Sequence, residues 1–154
     1  MEIYVFASTS LENIRRGIAN CLWAVPPMEG PLAAARRTRA DDMPLGAAGL
    51  FYCSEPQIFT TPFIVESEPQ DRIVSDVWEL AWQLPFKIRP IGDMKKMVSL
   101  NHAALTWPFV RDTDNRGGLL TGARAFAPIR ILRHEWDEIL KQLGVEPEEY
   151  EELW

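Results

Sequence analysis

Residues 20–39 read N-C-L-W-A-V-P-P-M-E-G-P-L-A-A-A-R-R-T-R, and how this stretch divides decides how the chain around it folds. Pro26 and Pro27 cannot continue a helix, and they push Val25 into an extended conformation. A helix arriving from upstream must therefore end in the Cys-Leu-Trp-Ala-Val-Pro segment, with Trp23 at its close. Pro31 suits the first position of a new helical turn, expected over residues 31–40. Arg36, Arg37 and Arg39 all fall within sixteen residues of Trp23. An aromatic ring beside cations is what stacking a base and holding an anion requires, and an unpaired nucleotide offers both. Plainer readings stand beside this one. A tryptophan after a helix is usually core, and an arginine run is usually a solvated face.

Upstream, residues 2–7 alternate Ile3, Tyr4, Val5 and Phe6, the pattern of a buried strand. Thr9-Ser10-Leu11-Glu12 matches a capping box with Thr9 as the N-cap. Leu11, Ile14, Ile18 and Leu22 then fall at helical spacing, with Gly17 as a weak point. Downstream, Asp41 to Gly46 is a turn, and residues 47–53 form a strand buried on both faces. Residues 57–66 return as its hairpin partner, with Pro62 confined to an edge or a bulge. Residues 67–76 are an acidic loop, and Val77 to Trp82 suits either a strand or one helical turn. Residues 85–91 read as a strand with Lys87 and Arg89 on one face, and residues 93–106 as irregular helix. A glycine-rich polar loop over 111–122 leads to a final amphipathic helix from about Arg133 to Leu143. Trp136, Ile139, Leu140 and Leu143 form its apolar face, and Gly144 stops it.

The 154 residues suffice for one domain with a core of its own, and six Trp and twelve Pro are high for that length. Net charge is −6, which by itself argues against a nucleic-acid partner. The charge is unevenly placed. Residues 134–154 hold eight carboxylates and one lysine, leaving residues 1–133 with fifteen Lys and Arg against fourteen Asp and Glu. A local basic patch is compatible with that body, whereas tight sequence-independent DNA binding is not expected. Residues 1–144 are expected to be the domain, and 145–154 an acidic tail. No apolar run reaches the length of a membrane span. Cys21 and Cys53 follow no metal or redox spacing, so they read as reduced thiols of a cytoplasmic protein.

The parts of an enzyme do not converge. His102 and His134 have no metal partners at ligand spacing, and no phosphate-binding glycine loop or dinucleotide fingerprint is present. Cys53 lies in an apolar strand, an environment that leaves a thiol inert. Ser8, Thr9 and Ser10 are better explained by capping than by nucleophilic catalysis. No catalytic residue, metal or cofactor is expected.

Taken in order, four stretches resemble an EVE domain, part of the PUA-like group that also contains YTH domains. The opening I-Y-V-F-A-S-T-S-L-E-N-I resembles the family's first strand and polar turn into a helix. L-W-A-V-P resembles its helix-ending tryptophan and proline. F-Y-C-S-E-P-Q-I-F-T-T-P-F-I-V-E-S-E-P resembles its strand pair, and A-W-Q-L-P-F-K-I-R-P-I its next strand. With the closing turn and helix from Gly122 to Leu143, the resemblance covers residues 2 to about 143. It implies an α+β fold: a small, curved or barrel-like mixed sheet with helices around it.

It also implies a binding module and not a catalyst. YTH domains hold a methylated adenine of RNA in an aromatic cage. Several EVE domains read modified cytosines in DNA, some with nuclease or NTPase partners in modification-dependent restriction. On that resemblance Trp23 aligns with a pocket tryptophan, Asn13 with a polar residue that bonds a base, and Ser8, Thr9 and Ser10 with the bordering turn. Trp78 and Trp82 are candidates for a second cage wall, Trp78 the preferred one. Arg36, Arg37, Arg116 and Arg124, expected in loops near the pocket, are candidates for phosphate contacts. The implied partner is DNA or RNA carrying a modified base, flipped out of its stack, with a nuclease or NTPase acting in trans. The chain's acidity and the lack of a fused nuclease or motor depart from the restriction systems. Two rivals remain open: a protein-interaction or regulatory domain without a base pocket, and a PUA-like enzyme on RNA or a small molecule. Salt-dependent binding would favour the first reading over the second, and turnover would favour the third.

Overall fold

β1 (Glu2–Ser8) alternates as the sequence predicts: Ile3 and Val5 enter one hydrophobic cluster, Tyr4 and Phe6 another on the opposite face. In the computed structural model, which describes residues 1–112 and 122–146, this strand runs parallel to β3 (Ala48–Cys53), with Phe6 opposite Phe51. β3 is buried along its whole length, and it alternates in the same way, Leu50 and Tyr52 to one cluster, Phe51 and Cys53 to the other. β4 (Ile58–Val65) returns antiparallel to β3 as the expected hairpin. Its other side is shared. β6 (Trp82–Pro90) pairs with Phe63–Val65 and β7 (Met97–Ser99) with Ile58–Thr60. With β2 (Leu22–Val25) beside β6, the short β5 (Ile73–Val74) also on β6, and β8 (Ile129–Arg130) beside β1, the result is one open, mixed sheet of eight strands, β2-β6-β4-β3-β1-β8 along its main path. The fold is therefore α+β.

Two strands that need to bend do so at an X-Pro step. Thr61, before Pro62, has φ +49°, and the β3–β4 register shifts there. Leu84, before Pro85, has φ +56°, and the β2–β6 register shifts opposite it. Both are bulges in which proline's missing N–H costs no ladder bond, as expected for Pro62.

Helices cover both faces. α1 (Leu11–Ala19) and α2 (Pro31–Asp42) lie on the side of Phe6 and Phe51. The other side is covered by α3 (Leu100–Thr106), α4 (Pro108–Arg111) and α5 (Arg133–Gln142), the last burying Trp136, Ile139, Leu140 and Leu143 as read from the sequence. Val145, assigned to the tail by sequence, is buried with them. Residues 147–154 of that tail lie outside the described residues.

Four expectations are corrected. Ser10, not Thr9, caps α1: its Oγ accepts from Asn13 N–H at 3.2 Å, while Glu12 pairs with Arg15 and Arg16 instead of closing a capping box. α1 stops at Ala19 because Cys21 takes a left-handed conformation (φ +48°) just past the cap, so Leu22 and Trp23 belong to β2 and not to the helix. The segment before Trp82 is neither strand nor helix, and β7 occupies part of a region read as helical.

Candidate functional site

Gly17 explains how Trp23 is placed. A Cβ there would stand 2.7 Å from Trp23 Cε3 and 2.9 Å from the Leu22 carbonyl, so only glycine lets β2 lie this close across α1. The residue that looked like a helix weakness is the seat of the indole. Trp23 is then held by three edge contacts, with ring centroids 4.7 Å from Phe51, 5.6 Å from Trp78 and 5.4 Å from Trp82. It is almost wholly buried, so the plain core reading is correct for most of its surface.

One side of this cluster remains open. A cavity of about 780 Å³ lies between the end of β1, the start of α1, β2 with the Pro26–Met28 segment, α2 and the Gly122–Ala125 turn. Its size falls within the range of roughly 300–1,000 Å³ common for small-molecule sites. Ser8, Thr9, Asn13, Trp23 and Trp82, all singled out from sequence, line it together with Arg36. Ser10 and Trp78 do not; they support the wall from behind. Ser10 caps α1, while Trp78 donates its indole N–H to the Asn13 carbonyl (2.9 Å) and stacks on Trp82 at 4.3 Å and 20° between planes. The preference for Trp78 as the facing wall is thus reversed, because its ring is sandwiched behind Trp82. Trp82 stands at 71° to Trp23, so the two rings form a corner and not a parallel slot. Such a corner stacks a flat ring on one face and touches its edge with another.

The polar lining is unevenly satisfied. Ser8 Oγ accepts from Asn13 Nδ2 (3.3 Å) and from Ser10 N–H (3.3 Å), and it donates to the Ser10 carbonyl (3.3 Å). That fixes the Asn13 amide and leaves its Oδ1 without a donor among the described residues. An acceptor held this way suits a donor on a ligand's edge.

The cations are placed differently from the sequence reading, which put them in loops. Arg36 and Arg37 sit on α2. Arg37 is exposed and pairs with Asp71 at 2.6 Å, a contact that raises the arginine's pKa and lowers the carboxylate's through the hydrogen bond first and charge second. Arg36 is 5% exposed, turned into the cavity wall away from solvent. Burial, then the neighbouring Arg39 cation, lowers its pKa from the ordinary value. Arg124 lines a second groove of about 460 Å³, with Pro108, Asp112 and Glu135, and not the tryptophan cavity. Arg116 lies outside the described residues.

Sequence reasoning missed Gln83 and Ser54. Gln83 sits between Trp82 and Leu84 on β6, where alternation reads as an outward polar residue. With Oε1 turned toward its two donor neighbours, it accepts from Met28 N–H (2.7 Å) and Arg36 Nη2 (2.7 Å), whereas the reverse amide orientation would set donors against donors. It thereby ties the Pro26–Met28 segment and Arg36 to the sheet. Ser54, which lines the cavity at the end of β3, reads from sequence only as a turn residue. Burial pushes the Cys53 thiol pKa up, in keeping with an inert side chain. Among the described residues there is no cluster of metal-ligating side chains and no helix long and apolar enough to cross a membrane.

Several solved structures share this fold. The YTH domain of Zygosaccharomyces rouxii MRB1, solved with N6-methyladenosine RNA, matches with a TM-score of 0.61 and 19% identity over 94% of this chain and 88% of that one. A Toxoplasma CPSF4 YTH domain matches with 0.60 and 14% over 95% and 89%. Protein Atu2648 of Agrobacterium tumefaciens matches with 0.53 and 18% over 94% of both chains. No protein-family model matches the sequence, and no curated protein is similar to it by sequence. At these identities the likeness establishes a YTH-like fold.

Proposed function

We infer that this protein is a non-catalytic reader of nucleic acid that takes a flipped, modified nucleobase into the Trp23–Trp82 cavity. One observation carries the reading: on a YTH-like fold, a cavity large enough to admit a nucleoside gathers ring, amide and hydroxyl groups able to hold a base. Two of the neighbours were solved with N6-methyladenosine or its RNA, which supports a nucleic-acid partner here. Unstacking a nucleotide costs a few kcal/mol. Stacking on Trp82 returns about 1–3 kcal/mol of it. Asn13 Oδ1 contributes a hydrogen bond to the base edge, and phosphate attraction falls to the exposed Arg37 of α2, with Arg116 and Arg124 as further candidates from the sequence. The EVE resemblance extends the reading to a sensor working with a nuclease or NTPase in trans.

The test is a titration of plain, methylated and hydroxymethylated oligonucleotides, as DNA and as RNA, followed by tryptophan fluorescence. Quenching by at least one modified strand, weakening as salt rises, is the expected result. Fluorescence unmoved by every strand would overturn the reading.

A further inference from the structure

Arg36 has no place in a phosphate-contact scheme. With a base inside the cavity, the strand's phosphates remain outside it, and the side chains that position them stand at its mouth. Arg36 instead is 95% shielded, lines the same cavity as Trp23 and Trp82, and has no carboxylate partner among the described residues. Its Nε–H is buried without an acceptor, although Nη2 is held by Gln83. Burying a guanidinium with an open donor is unfavourable, and such a group is retained where something else completes it. Gln83 fixes the plane of the fork, and its own second contact to Met28 fixes Gln83. A planar, positively charged group, held through Nη2, thus stands in the cavity wall beside an aromatic platform.

Resting on the base-reader proposal above, we propose that Arg36 reads the inserted base itself, and that it makes the cavity selective for a base with two adjacent acceptors on one edge. Guanine offers O6 beside N7, and cytosine offers O2 beside N3. Adenine sets its amino donor next to N7 and next to N1, so a guanidinium fork facing those edges meets a donor. Thymine and uracil set the N3–H between their two oxygens, with the same consequence. Asn13 Oδ1 is the complementary acceptor in the same cavity, suited to the amino group that guanine and cytosine also carry. This chain thus differs in ligand from a reader of methylated adenine while sharing its fold.

The experiment uses the full chain and four single-stranded oligonucleotides that differ only in one central nucleotide, A, C, G or U, each plain and base-methylated, titrated at several salt concentrations. The wild-type protein is expected to bind the best C or G strand about ten- to a hundredfold tighter than its A counterpart, the discrimination a bidentate arginine supplies. Arg36→Gln is expected to reduce that ratio to within about threefold, leaving the salt dependence unchanged. Arg36→Lys, which keeps the charge and loses the fork, is expected to lose the same discrimination, and it carries the test if the glutamine variant does not fold. An equal loss on all four strands with a shallower salt slope would make Arg36 a phosphate contact and overturn the inference. A preference for adenine that survives Arg36→Gln would overturn it too, with the base pocket intact. Absence of binding by every strand removes the pocket reading and this inference together.

Discussion

The two faces of the sheet are built from the same material and put it to different ends. On one, Trp107 and Trp136 pack with Phe59, Phe109, Ile139 and Leu140 into a cluster whose tryptophans line no cavity, the groove of about 460 Å³ running only along its Phe109 and Ile131 edge. On the other, Trp23, Trp78 and Trp82 meet just as tightly, with Trp78 and Trp82 only 4.3 Å apart, yet a cavity of about 780 Å³ opens beside them. Tryptophan content does not distinguish the two. The polar groups do. Among the described residues, each face has one buried side-chain donor without a partner, the Trp136 indole N–H and the Arg36 Nε–H. The first is a neutral group inside packed hydrocarbon, a tolerable loss with no room for a ligand. The second belongs to a charged side chain that Gln83 orients and that lines the cavity with Asn13 and Ser8, although the Nε atom itself is enclosed. One face keeps its tryptophans inside the core, and the other sets them against a cavity.

The comparison breaks most easily through large truncations. Trp136→Ala, on the closed face, is expected to cost about 3–5 kcal/mol of stability, read by denaturant unfolding, while the folded fraction keeps its affinity for oligonucleotides. Loss of affinity without loss of stability would mean the closed face is not merely core. Gly17→Ala is the next test. A solvent-facing helix glycine would gain up to ~1 kcal/mol from alanine. Here the added methyl meets Trp23 Cε3 at 2.7 Å, so overpacking of about 1–3 kcal/mol is expected, together with weaker binding as the ring is displaced. A stabilised Gly17→Ala protein would show that β2 does not lie on α1 as described.

Smaller effects sharpen the picture. Trp82→Ala is expected to weaken binding by about 1–3 kcal/mol, measured below the melting temperature of the variant, since the ring also stacks on Trp78. The smallest change belongs to Arg37→Gln. Its ion pair with Asp71 is fully exposed, so thermal stability should not move measurably. Affinity should fall similarly for every sequence, with the salt slope reduced by about one.

These residues also mark what the sequence makes legible. Alternation in Ile3–Phe6 and in Leu50–Cys53 identifies strands buried on two faces, because side-chain period alone decides which cluster each residue joins. Trp23, Asn13, Ser8 and Thr9 could be brought together through the resemblance to EVE domains, and they do line one cavity. Local pattern could not supply the rest. Trp23 reads as helix-ending because nothing in the sequence announces a non-glycine residue, Cys21, in the left-handed region. Gly17 reads as a weakness because its value lies in a contact six residues away. Trp78 and Trp82 can be placed on one face by spacing, but which one faces the cavity follows from an irregular segment without a period. The arginines mislead most. A basic run looks alike whether its members are solvated, as Arg37 is, or turned inward, as Arg36 is.

The most direct measurement is a two-dimensional nitrogen–proton spectrum of the indole N–H groups during titration with a single-stranded oligonucleotide bearing a modified base. Each tryptophan gives its own signal, so both faces of the sheet are observed in one experiment. Shifts confined to Trp23, Trp78 and Trp82, with Trp107 and Trp136 unmoved, are the predicted result. Signals of the first three that stay fixed while the ligand binds, or shifts centred on Trp107 and Trp136, would contradict the account.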